Sequence, residues 1–531
     1  MTIEPVSAEI RERQRREQHH EADVVIVGAG VFGCAAAYAL ANQGRSVILL
    51  ERWMHEPDRI VGELLQPGGL EALQKLGLGH CVEGIDAITC YGYHVVFHGE
   101  EVAIPYPVVD DQGKVYSGEE VKRVESSSSS STTTSTSSNG KTQNGFGGGP
   151  KKLRRPEGRS FHHGRFISQL RKACAAHPNI TMFETTVTSV IRGSHSEQVL
   201  GVETLTTDRE SGEKQPDFFF GQLTLIADGY DSKFRKQLLP DTTPIVRSKF
   251  YALELIDCPF PPSNYGHVVI GKTSPILLYQ IGTHETRALI DIPHNLPAAS
   301  AANGGVRGYI ENTVVPTLPA SVRPSVLAAL RDGKIPRSMP NSYLPASSSA
   351  NTARTPGVLL LGDAYNMRHP LTGGGMTVAF SDVVLLASLL HPDRVPNLAD
   401  ATAVESAMKE FHWRRKAWTS IINTLAQALY SLFAADDWQL DALRKGCFRY
   451  FQMGGAKTDE PVALMGGLLH EPTVLARHFF TVAFVAIWLH WCERVKNLWG
   501  LWKAPLLVVD AVLILWKACV VFLPTIWKEA V

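Results

Sequence analysis

The sequence predicts an α/β fold in which a Rossmann-like domain is interleaved with a mixed-sheet substrate domain and is followed by C-terminal membrane-associated helices. Three observations predict this arrangement. An apolar strand at 23–27 runs into a glycine turn and a helix, strand-rich sequence broken by prolines covers 251–293, and the sequence after Thr473 is strongly apolar. Continuous apolar strands that alternate with helices are typical of parallel sheets covered on both faces.

The composition limits the class of protein. The chain has 531 residues, with 52 Lys and Arg against 52 Asp and Glu. This length suggests about two to four domains. Because the net charge is zero, a general phosphate-binding protein is disfavoured and no nucleic-acid partner is expected. Eight scattered cysteines without a CxxC pair indicate neither a zinc ribbon nor a dithiol redox motif.

The first element after the leader is a dinucleotide-binding motif. Gly28 allows the tight turn, Gly30 lets the backbone approach a pyrophosphate, and Gly33 permits close packing of helix and strand. The phosphate then sits at a helix N-terminus, where free N–H groups attract it. Glu51 ends the second strand, where a carboxylate accepts hydrogen bonds from a ribose diol and disfavours a 2′-phosphate. The motif therefore predicts FAD or NAD rather than NADP.

Later glycine turns decide between these two cofactors. A strand at 357–361 leads into Asp363, and a glycine turn then feeds a second helix start at 374–376. This second turn is redundant for NAD and is required by a large cofactor with two ends. Asp363 is placed to bind a ribityl chain, and the helix start offers N–H groups and a positive dipole to a reduced flavin ring. With Asp228-Gly229 after another strand, these segments predict FAD.

The chain divides into seven predicted segments. They are a polar leader (1–21), a first part of the FAD-binding domain with the start of the substrate region (22–114), a disordered Ser/Thr/Gly-rich insertion (115–157), a second FAD-binding part (158–240), the substrate domain (241–350), a third FAD-binding part (351–400) and a helical, membrane-associated end (401–531). The leader lacks an apolar stretch, so neither a signal peptide nor an N-terminal anchor is expected. Thirteen consecutive Ser or Thr residues at 126–138 bury no apolar area that would offset the entropy of ordering.

Two apolar stretches near the end predict membrane attachment. The first has 15 residues without Asp, Glu, Lys or Arg between Arg477 and Glu493, and the second is interrupted by Asp510 and Lys517. A spanning helix needs about 20 apolar residues, so we expect helices that lie at or dip into the membrane interface. Five tryptophans support an interfacial position: Trp488, Trp491, Trp499, Trp502 and Trp516. The alternative is an unusually apolar soluble core.

At this point the sequence resembles the flavoprotein aromatic-hydroxylase-like monooxygenases and, within that group, is similar to the squalene monooxygenases (squalene epoxidases). The resemblance spans about residue 22 to the C-terminus except the Ser/Thr insertion, which is unusual for the family. It is carried by the glycine motif with Glu51-Arg52, by 56–63 with 65–69, and by 161–166, 360–380, 425–430 and the Trp-rich end.

The resemblance implies a set of site residues. FAD contacts are implied for Val31, Phe32, Glu51, Arg52, Arg59 and Leu64 at the adenosine and pyrophosphate side, for Arg171 and Val187 in the next segment, and for Asp363 and Met376 at the ribityl and ring end. Tyr93 lies in a strand-like segment, where aromatic residues are commonly core. It matches a tyrosine important for activity in the family, near Gln66. The resemblance therefore makes Tyr93 the catalytic candidate, one that orients a neighbour rather than acting as an acid.

The resemblance also implies the reaction. It is epoxidation of squalene to (S)-2,3-epoxysqualene with O₂, via a flavin hydroperoxide, in sterol biosynthesis of the ergosterol type. The implied electron donor is NADPH-cytochrome P450 reductase, and the implied location is the endoplasmic reticulum (microsomal) membrane, with membrane lipid as a partner and the catalytic domain facing the cytosol. No metal is expected, and His162, His163 and His369 are interpreted as structural. Two alternatives stay open: a related flavin monooxygenase acting on another lipid or aromatic substrate, and a membrane-associated FAD-binding interaction protein without turnover.

Overall fold

The computed structural model describes most of the chain. The residues it describes are 8–110, 112–116, 118, 120–123, 153–207, 211–259, 261–271, 274–331, 336–347, 355–434, 437–495 and 504–530. The Ser/Thr run at 126–138 lies outside them, as do Trp499 and Trp502. The predicted disorder of that run therefore stays a prediction.

Strands and helices are interspersed over the first 390 residues, and in the described residues after that point the regular elements are helices. The strands are β1 (Glu21–Val27), β2 (Val47–Glu51), β3 (Leu64–Leu65), β4 (Ile88–Cys90), β5 (Gly92–Phe97), β6 (Glu100–Pro105), β7 (Val108–Val109), β8 (Val115–Tyr116), β9 (Gly158–Ser160), β10 (Ile180–Glu184), β11 (Thr186–Arg192), β12 (Val199–Thr207), β13 (Lys214–Ile226), β14 (Ile245–Ile256), β15 (Gly266–Ile270), β16 (Ile276–Gln280), β17 (Glu285–Pro293), β18 (Arg337–Tyr343) and β19 (Val358–Leu360). The α-helices are α1 (Ala8–Gln18), α2 (Val31–Ala41), α3 (Pro67–Lys75), α4 (His163–Ala175), α5 (Lys233–Leu238), α6 (Gly305–Tyr309), α7 (Arg323–Arg331), α8 (Gly375–Leu389), α9 (Ala401–Phe433), α10 (Trp438–Gln452), α11 (Ala456–Met465), α12 (Pro472–Val495) and α13 (Ala504–Ala530).

The first sheet unites strands that are far apart in sequence. Its order is β10-β2-β1-β13-β12-β11, with β19 paired to β13. The pairs β10–β2, β2–β1, β1–β13 and β13–β19 are parallel, and β11, β12 and β13 form an antiparallel meander. Strands from the three predicted FAD-binding segments thus share one sheet. Its central strands are buried and apolar because α2 and α8 pack in the same core.

The second sheet is mixed, as the prolines and strand pattern predict. Its order is β18-β14-β17-β16-β15-β5-β6. The pair β5–β15 is parallel, whereas its other pairs are antiparallel. One face packs in a core with α9 to α13, and the other face packs against the segment that contains α6 and α7. The sheet therefore lies between the helical C-terminal part and a small helical cover.

The ends of the predicted insertion are ordered, which corrects the expectation for 115–157. Strand β8 pairs with β7, and Tyr116 donates a hydrogen bond to Asp110 at 2.8 Å. On the far side, the backbone N–H of Val109 donates to the carbonyl of Arg154 at 2.8 Å. Both flanks are ordered because their backbone groups form hydrogen bonds with β7. The Ser/Thr composition of the segment does not indicate this pairing.

The two apolar stretches form longer helices than their charge-free runs suggest. By length and composition alone, Pro472–Val495 and Pro505–Glu529 are each sufficient to cross a membrane, and only 28% and 22% of their most apolar windows are buried. The charged residues inside the second helix turn toward the protein: Asp510 pairs with Arg494 at 2.9 Å and Lys517 with Asp437 at 2.6 Å. The helices are thus bound to the body along one side.

Candidate active site

The glycine turn between β1 and α2 has the geometry that its pattern predicts. Gly28 has φ of +103°, and a Cβ on Gly33 would lie 1.8 Å from the carbonyl oxygen of Gly28. A Cβ on Gly30 would meet nothing within 4 Å. Gly28 and Gly33 are therefore required by the fold itself, whereas Gly30 leaves the N-terminus of α2 open to a cavity.

Glu51 and Arg171 hold this turn from beside it. Glu51 Oε2 accepts the backbone N–H of Ala29 at 2.8 Å and pairs with Arg171 Nη2 at 3.3 Å. Arg171 Nε donates in turn to the carbonyl of Ala29 at 3.0 Å, and its Nη1 donates to the carbonyl of Trp53 at 2.9 Å. The carboxylate predicted for a ribose thus also fixes the pyrophosphate turn, a role that the sequence does not reveal.

The second predicted glycine turn opens onto the same cavity. Asp363 lies in a 3₁₀ turn directly after β19, and α8 begins at Gly375 with Gly374 as its N-cap. Asp363, Gly375 and Met376 line the cavity that Gly30 also lines. The positive end of α8 therefore faces the space where the sequence predicts the flavin ring.

Seven of the predicted site residues line this cavity and the others lie outside its lining. The lining ones are Gly30, Val31, Arg59, Leu64, Tyr93, Asp363 and Met376. Phe32 packs beneath Gly362, whose Cβ position lies 3.1 Å from it. Arg52 stacks on Trp53 with its Cζ 3.8 Å from the ring centroid, and Val187 is buried in the core of the first sheet. Their predicted FAD contacts stay predictions.

Tyr93 belongs to a buried hydrogen-bonded cluster under the cavity. Gln66 Nε2 donates to the Tyr93 hydroxyl at 2.5 Å and to the carbonyl of Thr372 at 2.8 Å. The Tyr93 hydroxyl donates to the same carbonyl at 3.1 Å, and Tyr106 donates to Gln66 Oε1 at 2.6 Å. Burial raises the pKa of Tyr93, so its hydroxyl stays protonated. The cluster thus fixes the backbone of Thr372, directly before Gly373. Tyr106 belongs to this cluster but was not singled out from the sequence.

Comparisons with known proteins identify the family. The squalene epoxidase family model matches residues 220–501. Squalene epoxidase ERG1 of Gibberella zeae is 60% identical over 97% of this chain and 97% of its own length, and squalene epoxidase erg1 of Aspergillus fumigatus is 50% identical over 97% and 95%. The chain belongs to the squalene epoxidase family.

Membership of this family also settles the cofactor. An FAD dependent oxidoreductase model matches residues 23–56, which hold β1, the glycine turn and Glu51. The resident cofactor of this squalene epoxidase family member is FAD, and the residues present fit it. Gly30, Gly229 and Gly375 come from the three predicted turns, all line one cavity, and a Cβ on each would meet nothing within 4 Å.

Solved structures of lower identity show the same fold. The flavin-dependent brominase Bmp2 aligns with a TM-score of 0.59 over 87% of this chain and 98% of its own, at 13% identity. PqsL of P. aeruginosa in complex with 2-aminobenzoylacetate aligns with a TM-score of 0.55 over 78% of this chain and 97% of its own, at 20% identity. At such identities these likenesses support the α/β architecture alone.

A buried ion pair in the cavity wall was missed by the sequence analysis. Arg287 binds Glu63 in a bidentate manner, with Nη2–Oε1 at 2.8 Å and Nε–Oε2 at 2.9 Å. Tyr279 donates to Glu63 Oε2 at 3.2 Å, and both Glu63 and Tyr279 line the cavity. Burial raises the pKa of Glu63, although Arg287 acts against this shift. Only Glu63 lies in a stretch that carries the family resemblance.

Two of the three histidines interpreted as structural, His163 and His369, have local hydrogen-bond partners, whereas the buried Nε2 of His162 has none among the described residues. His163 Nδ1 lies 2.8 Å from the carbonyl of Gly62, and burial lowers its pKa to about 4. His369 Nδ1 accepts the N–H of Leu371 at 3.2 Å, and its ring stacks on Tyr430 at 4.0 Å between centroids. In the described part of the chain, no three His, Cys, Asp or Glu side chains gather as a metal site.

Proposed function

We propose that this chain epoxidises squalene to (S)-2,3-epoxysqualene with O₂ and FAD, in sterol biosynthesis. The observation that carries the proposal is its 60% identity to squalene epoxidase ERG1 over 97% of both chains. Bound FAD, when reduced, supplies the activation of O₂ and the transfer of one oxygen atom to the alkene. The chain itself must bind the polyene, orient it and exclude water.

The second sheet supplies an apolar wall for the substrate. Val268, Leu277 and Leu289 line the cavity from β15, β16 and β17, and Met339 joins them from β18. Burial of apolar carbon atoms favours a hydrocarbon by about 25 cal/mol per Å². Met376 and the start of α8 line the same cavity, so in this proposal the alkene and the ring end of the cofactor share one space.

In this proposal each predicted site residue is assigned to one part of the bound cofactor or to the positioning of the site. Gly28, Gly30 and Gly33 form the pyrophosphate turn. The adenosine and pyrophosphate side is assigned to Val31, Phe32, Glu51, Arg52, Arg59 and Leu64, further cofactor contacts to Arg171 and Val187, and the ribityl and ring end to Asp363 and Met376. Tyr93 acts as a positioning group, because its protonated hydroxyl and Gln66 both bind the carbonyl of Thr372 beside the ring-end turn.

Helices α12 and α13 provide the proposed attachment to membrane lipid. Trp488, Trp516 and Trp527 are 64%, 67% and 72% exposed, whereas Glu529 turns inward and accepts from Asn423 at 3.0 Å. A helix with one face bound to the body and an apolar opposite face suits an interfacial position. We assign the protein to the cytosolic face of the endoplasmic reticulum membrane.

The proposed electron donor is a separate NADPH-cytochrome P450 reductase. The sequence carries one complete dinucleotide fingerprint, at Gly28, Gly30 and Gly33, and this motif is assigned to the binding of FAD. A second dinucleotide fingerprint for NADPH is not found in the sequence, and the resemblance to the family favours a separate reductase as the donor. An assay with NADPH that omits the reductase is therefore expected to give no product.

A product assay tests the function directly. The full-length protein in detergent micelles, supplied with squalene, O₂, NADPH and the reductase, is expected to form 2,3-epoxysqualene, detected by mass spectrometry. Protein that holds reducible FAD and leaves squalene unchanged would point to another substrate. Protein that purifies without FAD would contradict the cofactor and the reaction together.

A further inference from the structure

A second cavity, of about 240 Å³, lies between the second sheet, α9 and the last turns of α13. Its polar lining includes Arg247, Asn341, His369, Gln427, Ser431 and Lys528. The segment 368–371 separates it from the cofactor cavity, because Arg368 and Pro370 line the first cavity and His369 lines the second. The proposed reaction leaves this polar space without a role, although its volume is sufficient for a ligand of several heavy atoms.

Two deeply buried polar atoms belong to its wall and have no hydrogen-bond partner among the described residues. They are His369 Nε2 and Asn341 Oδ1, and both residues are only 2% exposed. Because His369 Nδ1 accepts the N–H of Leu371, the proton of the neutral ring lies on Nε2. The wall thus offers one fixed N–H donor. A buried donor without a partner destabilises the protein, and a bound acceptor removes this cost.

Two cations stand at the rim. Arg247 lies on β14 and Lys528 near the end of α13, both exposed, and in the described ranges neither has a carboxylate within ion-pair distance. The neighbouring carboxylates are engaged elsewhere: Glu529 accepts from Asn423 at 3.0 Å, and Asp291 accepts from Asn341 at 2.8 Å. The charged groups of Arg247 and Lys528 are therefore available at the rim to bind an anion.

The rim is also apolar. Ile245 and Val520 line the cavity and are 40% and 47% exposed. Trp527, which is the most exposed tryptophan of α13, precedes Lys528. Exposed apolar side chains beside cations are typical of a site for an amphiphile at the membrane interface.

We propose that this cavity binds a phosphate group, held by Arg247, Lys528 and the Nε2–H of His369. Two sources share this chemistry: the headgroup of a membrane lipid and free phosphate in solution. The planar guanidinium forms paired hydrogen bonds to phosphate oxygens, and the ammonium adds a point charge. The site is separate from the cofactor cavity, and its test does not depend on turnover.

Calorimetric titration of the full-length, FAD-loaded protein in maltoside micelles tests the site. The two probes are dihexanoyl phosphatidic acid, below its micelle concentration, and inorganic phosphate. Arg247→Gln and Lys528→Gln are each expected to weaken binding about tenfold, since each removes one charged partner. Arg331→Gln is the matched control, because Arg331 is exposed on α7 and does not line the cavity.

The outcomes separate the two sources. Tighter binding of the phosphatidic acid than of inorganic phosphate assigns the site to a lipid headgroup, and equal binding assigns it to free phosphate. Failure of both probes to bind overturns the proposal. Equal affinity in Arg247→Gln, Lys528→Gln and Arg331→Gln also overturns it, because binding would then lie elsewhere.

Discussion

At the scale of single residues, the buried polar groups around the cofactor cavity depend on hydrogen bonds to one another. Tyr93 and Gln66 both bind the carbonyl of Thr372, and Tyr106 fixes Gln66 in turn. Glu63 and Arg287 form a fully buried pair in the same wall. The roles of these residues are to orient and stabilise the site, and two substitutions test them separately.

Tyr93→Phe is expected to lower kcat about tenfold and to leave FAD content unchanged. The change removes both hydrogen bonds of the hydroxyl, to Gln66 and to the carbonyl of Thr372, each worth about 1 kcal/mol, and keeps the ring in place. Turnover of squalene and the flavin absorbance per mole of protein measure the two effects. Tyr91→Phe is the control, since Tyr91 is 41% exposed. Loss of flavin together with activity would show that Tyr93 serves folding instead.

Glu63→Gln is expected to lower the free energy of unfolding by about 3 kcal/mol, because it leaves the buried charge of Arg287 with only the half-exposed Glu254 as an ionic partner. Denaturant unfolding of the FAD-loaded protein measures the change. Glu254→Gln is a matched control: Glu254 pairs with the same arginine at 3.4 Å but its side chain is 44% exposed. Its loss should cost less than about 1 kcal/mol. Similar losses in both variants would contradict a special role for burial.

At the scale of elements, α13 combines an apolar sequence with polar contacts to the rest of the protein. Its pattern alone satisfies the length of a membrane span. The structure shows that Lys517 and Glu529 bind the body through Asp437 and Asn423. A helix held at both positions leaves its opposite side exposed, and the interfacial position expected from the sequence stays a prediction.

Trp516→Glu is expected to reduce binding to phosphatidylcholine vesicles about tenfold while FAD content stays constant. Trp516 is 67% exposed on the apolar face of α13, and a carboxylate there opposes burial in the lipid interface. Vesicle flotation measures the bound fraction. Ile256→Glu changes a residue that is 58% exposed at the far end of β14 and serves as control. Unchanged flotation of Trp516→Glu would remove α13 from the proposed membrane surface.

At the scale of the whole molecule, buried neutral histidines predict a loss of stability in acid. Burial lowers the pKa of His163, His267 and His412 to about 4, below the ordinary value of 6.5. Between these values the unfolded chain binds more protons, so the free energy of unfolding falls as the pH falls from 6.5 toward 4. Asp291 acts in the opposite direction, because burial raises its pKa to about 6.

Denaturant unfolding of the FAD-loaded protein across this pH range measures the trend. His163→Gln is expected to flatten the curve, since it removes one of the three groups. A free energy of unfolding that stays constant or rises as the pH falls from 6.5 to 4 would contradict the prediction.

The sequence by itself determined the local parts of this protein. The turn at Gly28 and Gly33, the carboxylate at Glu51 and the helix start at Gly375 follow from backbone geometry and short spacing, and they suffice for the α/β class and FAD. The apolar stretches in turn predicted both C-terminal helices. These features depend on residues that are close in the chain, so a pattern records them.

Only the tertiary structure decided which distant residues meet. The hydrogen bond of Gln66 with Thr372 spans 306 positions, and the pair of Glu63 with Arg287 spans 224. The polar cavity beside His369 likewise needs β14, α9 and the end of α13 together. Sheet pairing and burial create these contacts, and no periodicity in one sequence encodes them. The reason is physical: local geometry depends on neighbouring residues, whereas a site depends on the packing of the whole chain.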